Sequence, residues 1–296
     1  MTDAAAAAGR TSSADLRSGL AWGVVGVTAF SVTLPATRIA VAALDPVFVG
    51  LGRAVFAAVL AGIVLAVTRS PWPALALWPR LGMVSLGVIV GFPLLSAWAM
   101  RHVPASHGAV VVGMLPLATA AAGAWLAHER PTRRFWLCAA AGSAVVVGFA
   151  LWRGGGSLHV ADVLLIAAIA AAAIGYAEGA RLARRMGGWQ VISWALVLSA
   201  PFLAIPTWLA SEGAAQAPVS AWIGFAYVTV VSMYLGFFAW YRALARGGIA
   251  AVGQVQLLQP FLTFVFSAVL LGERLEPSMF VAAGLVIVTI AIGRRG

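Results

Sequence analysis

Residues Ile249–Arg274 read IAAVGQVQLLQPFLTFVFSAVLLGER. The stretch carries no charge before Glu273 and is long enough to cross a bilayer as a helix, yet it holds three glutamines and a proline. An amide in hydrocarbon needs a partner or a wet cavity, so this segment belongs inside a bundle. The same frame occurs earlier. Pro116 is followed by twelve residues and then Glu129 and Arg130, and Pro260 by twelve residues and then Glu273 and Arg274. All three positions are offset by 144 residues, about half of the 296-residue chain, which reads as an internal duplication.

The composition sets the class. With 62% hydrophobic and 9% charged residues, the chain has too little polar surface to cover a water-soluble globule, so an all-α integral membrane protein is expected. All 19 basic residues are arginine, and they fall singly or in short groups between apolar runs. They read as topology signals, and no nucleic-acid partner is implied. The single cysteine, Cys138, excludes an intramolecular disulfide and any multi-cysteine metal site.

Cutting at charges, Pro/Gly clusters and apolar length predicts ten spans: 18–38, 46–68, 78–100, 105–127, 133–152, 160–181, 189–210, 219–241, 250–271 and 276–293. Residues 1–17 are read as a disordered tail, 18–152 as a first five-helix repeat and 160–293 as a second. With a cytoplasmic N-terminus, 14 arginines fall on the cytoplasmic side and 4 opposite, and Arg53 lies within a span. That asymmetry puts both termini inside. Five is an odd number, so the second repeat starts from the opposite side and the halves are inverted. Substrate sites in such architectures lie where the repeats meet, around a central cavity.

The chain resembles the drug/metabolite transporter superfamily in its ten-helix EamA-type branch. The resemblance is carried by LAWG at Leu20–Gly23, FSVTLPATR at Phe30–Arg38, DPVFVGLGRAVFAAVL at Asp45–Leu60, AMRHVPASHGAVV from Ala99 with the later HER ending at Arg130, and WYRALARGGIAA with the Pro-to-LGER run in the second half. Within the branch it is most similar to bacterial aromatic amino acid exporters of the YddG type. Ser31 departs from the family's usual glycine and Arg38 from its frequent lysine. The resemblance implies a secondary transporter of the bacterial inner membrane that exports small organic metabolites, aromatic and other apolar amino acids among them, by alternating access. A broader drug or metabolite permease is the alternative. Helices four, five, nine and ten are then a scaffold or contact face, and the oligomeric state, a homodimer included, is open.

Arg53 is the sharpest single signal. Seven residues beyond Pro46, it sits about 10 Å inside its helix. It either snorkels to the outer interface or pairs with backbone carbonyls, or it lines a vestibule and meets a substrate carboxylate. Gln256 and Gln259 share a face with Pro260 and Thr263, whereas Gln254 is rotated away. That face should point inward, as interhelical glue or as a substrate contact. Pro116 and Pro260 each remove a backbone donor at matching places, giving kinks that serve shape or gating. Ser31, Thr33, Phe92, Pro93, Ser96, Met114, Tyr176, Ser232 and Tyr234 lie near the estimated midplane. Such aromatic, thioether and hydroxyl groups suit a pocket for a neutral or zwitterionic molecule with an apolar side chain, or ordinary packing.

His107 and Glu178 are the candidates for proton coupling, with Glu178 better read as an ion pair to Arg181. Asp45, Asp162, Glu212 and Glu276 are assigned to outer loops. Trp98, Trp152, Trp189, Trp208, Trp222 and Trp240 are read as interface anchors. Enzyme readings find no support: His128 and Glu129 lack the second histidine of HExxH, and no serine elbow, aspartate pair or cofactor motif is present. A lipid-modifying enzyme embedded in the membrane is the weaker alternative. The expected partners are a small-molecule substrate and the lipid bilayer, with no cofactor or metal.

Overall fold

The computed structural model describes residues 13–127, 133–153 and 159–294. Among those residues the secondary structure is helical, without strands, and forms ten helical segments, seven of them long and apolar enough to cross a membrane. The first, α1, runs as Ser13–Ser31 and Thr33–Val41, so it starts five residues before the expected position. The others are α2 (Phe48–Val67), α3 (Leu75–Met100), α4 (Ala105–Leu126), α5 (Arg133–Arg153), α6 (Val160–Met186), α7 (Gly188–Leu209), α8 (Val219–Gly247), α9 (249–271) and α10 (Pro277–Arg294). The first twelve residues of the expected tail, and His128, Glu129 and Arg130, lie outside the described residues.

Backbone groups in lipid must be satisfied within the segment, which leaves helices as the only option for these apolar runs. Their ends are set by chemistry legible in the sequence. Pro104 and Pro218 precede the first turns of α4 and α8, where a missing N–H costs nothing. Gly187 (φ 90°) and Gly248 (φ 82°) reverse the chain in one residue between α6 and α7 and between α8 and α9. An L side chain disfavours that backbone region.

Packing follows the duplication. Helix α1 lies along α8 and α3 along α6, and these two pairings exchange when the halves are swapped. Helices α2 with α7 and α5 with α10 pair across the swap axis. The α1–α8 pair is antiparallel, since Gly19 meets Gly247, Gly26 meets Trp240, and Ala36 and Ala40 meet Gly224. The chain is thus two inverted five-helix repeats. The α3–α6 crossing is closest at Gly87 and Gly175, where a Cβ on Gly87 would fall 2.5 Å from the Ala171 carbonyl oxygen and 2.8 Å from the Gly175 backbone. Small residues permit such approach, and dispersion contacts then hold the helices together where lipid offers no hydrophobic contrast.

Helix irregularities repeat as well. A π-helical segment, Ser85–Gly91, interrupts α3, and another, Tyr227–Leu235, interrupts α8. Both end at equivalent residues 144 apart. Near Pro116, α4 breaks into a turn at residues 113–114, and near Pro260, α9 tightens to a 3₁₀ segment at Gly253–Leu258. Each proline therefore sits just beyond a local break at matching depth.

Candidate functional site

A central cavity forms where the repeats meet, walled by Phe30, Thr33 and Leu34 of α1, Arg53 of α2, Val88, Phe92 and Pro93 of α3, Ala172 and Tyr176 of α6, Ser232 and Phe237 of α8, and Gln259 of α9. Four pairs of these positions are related by the duplication. Phe30 and Ala172, and Leu34 and Tyr176, differ by 142 in residue number; Val88 and Ser232, and Pro93 and Phe237, differ by 144. The cavity therefore lies on the pseudo-two-fold axis. Thr33, Arg53, Phe92 and Gln259 break the symmetry and give the site its polarity.

The π segments of α3 and α8 build this wall. Val88 and Ser232 sit inside them, and Phe92, Pro93 and Phe237 lie within two residues of their ends. An extra residue per turn re-aims side chains that regular α-helix would bury against a neighbour. Ser232 Oγ is thereby placed 2.8 Å from Arg53 Nη2 and 2.8 Å from Thr33 Oγ1. Arg53 donates to Ser232, which also shares a hydrogen bond with Thr33, so a single hydroxyl ties α2, α8 and α1 together.

The snorkelling reading of Arg53 is corrected by this geometry. The residue is 2% exposed and reaches into the bundle centre. Its Nε and Nη1 find no acceptor among the described residues. The aromatic side of the wall is one cluster: the Phe30 ring lies 5.1 Å from Phe237 and 6.3 Å from Tyr176, and Tyr176 lies 5.6 Å from Trp240. Trp240 is fully buried there and is not an interface anchor, whereas Trp98, Trp152 and Trp208 are exposed on the outside. In this conformation the cavity measures about 20 Å³, room for one water molecule.

Of the expected site residues, Thr33, Arg53, Phe92, Pro93, Tyr176, Ser232 and Gln259 meet at this wall. The others lie behind or away from it. Ser31 Oγ donates to the Val27 carbonyl, and its own carbonyl accepts from Thr263 Oγ1. Ser96 Oγ donates to the Pro93 carbonyl, Tyr234 shares a 3.0 Å hydrogen bond with Ser193, and Met114 is half-buried at the α4 break. Gln256 is buried, with neither amide atom engaged among the described residues. Pro260 packs toward Gly113, and Pro116 is buried in α4. The Gln254 side chain lies outside the described residues.

Charged clusters mark both ends of the bundle. At the end opposite the start of α1, Arg38 pairs with Glu273 at 3.6 Å and donates to the carbonyls of Met100 and Val103. Glu273 also accepts from the first amides of α4, Ala105 N–H at 2.8 Å and Ser106 N–H at 2.9 Å. Anionic caps at helix N-termini are favoured by the unpaired amides and the dipole. Toward the same end His107 Nε2 meets Asp162 Oδ1 at 2.7 Å, and Asp162 Oδ2 accepts the His159 N–H. Asp162 is therefore a buried residue of the first turn of α6, not a loop residue. At the other end Glu178 bridges Arg181 (2.9 Å) and Arg80 (3.5 Å), joining α6 to α3. The expected Glu178–Arg181 pair is present, and Arg80 adds to it.

Comparison with known proteins now has a geometry to address. The description of the EamA-like transporter family matches the sequence twice, over residues 17–151 and 159–293. The chain belongs to the EamA-like transporter family. The two EamA matches begin 142 residues apart, the spacing that relates the cavity-lining positions of α1 and α6. The sequence is 47% identical over 274 residues to the protein named "Uncharacterized transporter YdeK" of Bacillus subtilis, covering 92% of this chain and 96% of that one. It is 25% identical over 276 residues to a "Probable terminal-alkyne amino-acid exporter" of Streptantibioticus cattleyicolor, covering 92% of each. A solved crystal structure aligns with a TM-score of 0.65 at 17% identity, covering 94% of this chain and 97% of that one, and so shares the fold. The protein is thus a multi-pass membrane transporter of the EamA type.

Proposed function

We propose that this EamA transporter moves small organic metabolites with apolar side chains, amino acids foremost, out of the cell across the bacterial inner membrane, with both termini cytoplasmic. The observation that carries this reading is the cavity on the pseudo-two-fold axis, where an aromatic cluster faces a short polar row of Arg53, Ser232, Thr33 and Gln259. Apolar walls with a few convergent polar groups suit a ligand with one apolar and one polar end. The name of the S. cattleyicolor relative, an amino-acid exporter, points to the same class.

Alternating access fits the architecture. The α1–α8 and α3–α6 pairs are equivalent under the swap, so rocking one repeat against the other opens either end at similar cost. The cavity must widen to admit a substrate, and the ion-paired ends, Arg38–Glu273 and Arg80–Glu178–Arg181, are where the two openings would occur. Purified protein in liposomes, assayed with labelled phenylalanine, leucine, glucose and uridine, tests the reading. Transport of the amino acids above protein-free vesicles is expected. Transport confined to sugar or nucleoside would refute it.

A further inference from the structure

The buried acids of the described bundle are already engaged. Asp162 is held by His107, Glu178 by Arg80 and Arg181, and Glu273 by Arg38. Arg53 is the reverse case. It is a buried guanidinium on the cavity wall, with one hydrogen bond to a neutral hydroxyl and with Nε and Nη1 unengaged among the described residues. No Asp or Glu is among the described residues that wall the cavity. A guanidinium offers parallel N–H groups in a fork that matches a carboxylate, and burial makes an uncompensated cation costly. The remaining polar groups, Thr33, Tyr176, Ser232 and Gln259, are neutral. None of them supplies the negative charge that an ammonium would need as its partner.

From this asymmetry we infer that the site selects its substrate by a carboxylate, held on the guanidinium N–H groups of Arg53 that Ser232 leaves free, and does not require the α-ammonium group. The substrate class is then apolar monocarboxylates, with amino acids as members of it, and the corresponding amines are excluded. This rests on the central cavity being the substrate site. The apolar body lies against Phe30, Phe92 and Phe237. With the carboxylate bound, the wall and its cargo are together neutral for a monocarboxylate anion, and a zwitterion leaves one positive charge facing neutral oxygens.

Three compounds with one aromatic body separate the groups: L-phenylalanine, 3-phenylpropanoate without the ammonium, and 2-phenylethylamine without the carboxylate. Each is added to detergent-purified full-length protein at about ten times the apparent Kd of the tightest binder, and the unfolding midpoint is read from tryptophan fluorescence. Both carboxylates are expected to raise it by about 3 °C, and the amine by less than about 1 °C. Equal shifts with the amine, a shift with phenylalanine alone, or no shift with any of the three overturns the inference. Arg53→Lys, which keeps the charge but not the fork, is expected to weaken carboxylate binding about tenfold; an unchanged affinity also counts against it. Because the readout is binding, carboxylate-specific shifts without vesicle transport would sustain this inference and refute the proposed function.

Discussion

Arg53 on α2 and Ser232 on α8, residues of opposite repeats, meet through a single 2.8 Å hydrogen bond at the wall of the central cavity. Ser232 also holds Thr33, so its hydroxyl is the node of the polar row. Ser232→Ala leaves Nη2 without its acceptor and Thr33 without its partner. A loss of about 1–3 kcal/mol is expected, with substrate affinity reduced in parallel. Thermal unfolding in detergent and equilibrium binding check the two effects. Ser232→Thr, which keeps the oxygen, should retain most of both.

Gly87 and Gly175 set the approach of α3 to α6, and through it the position of Val88 and Phe92 on the cavity wall. Gly87→Val places a branched side chain against the Ala171 carbonyl and the Gly175 backbone, neither of which can turn aside. Destabilisation of at least about 1–3 kcal/mol follows. It would be seen as loss of the monodisperse peak after extraction and a lowered unfolding midpoint. Gly82→Ala in the same helix meets nothing within 4 Å and should be neutral.

Glu273 performs two jobs from one carboxylate, capping α4 and pairing with Arg38. Glu273→Gln keeps an acceptor for one amide but removes the charge from both. The expected cost is about 1–2 kcal/mol in stability. If this cluster closes its end of the passage, the variant also transports at an altered rate. A double-mutant cycle with Arg38→Gln separates the ion pair from the cap.

His107 and Asp162 join α4 of the first repeat to α6 of the second. Asp162→Ala removes that bond and the cap on the His159 amide together, at about 2–4 kcal/mol. The cycle with His107→Leu should show coupling of about 0.5–3 kcal/mol, measured by unfolding midpoints of the four proteins. Coupling near zero would mean that the contact contributes nothing to holding the repeats together.

The ten helices were legible because apolar length and arginine placement obey the bilayer regardless of detail. Arg53 and Gln259 were legible for the same reason: a polar group in a lipid-length run needs an inward-facing role. Phe30, Leu34, Val88, Ala172 and Phe237 were not, since an apolar residue in an apolar helix carries no mark of which neighbour it faces. The π segments that re-aim Val88 and Ser232 leave no periodic signature either. Asp162 was misassigned because a charge near an apolar boundary looks like loop, and only the fold brings His107 to it. Trp240 was misassigned likewise: proximity to the expected end of its span, 219–241, suggested an anchor, but α8 continues to Gly247 and leaves it in the core.

The central claim is that the space between the inverted repeats is the transport path, reached from each side in turn. Ala172 walls that space, so Ala172→Cys in a Cys138→Ala background provides a single thiol there. Its labelling by a membrane-impermeant thiol reagent, applied to either side of oriented proteoliposomes, is the most direct measurement. Labelling from both sides, slowed by L-phenylalanine, is the predicted result. A thiol reached from one side alone, or from neither, in protein that still transports would contradict the account.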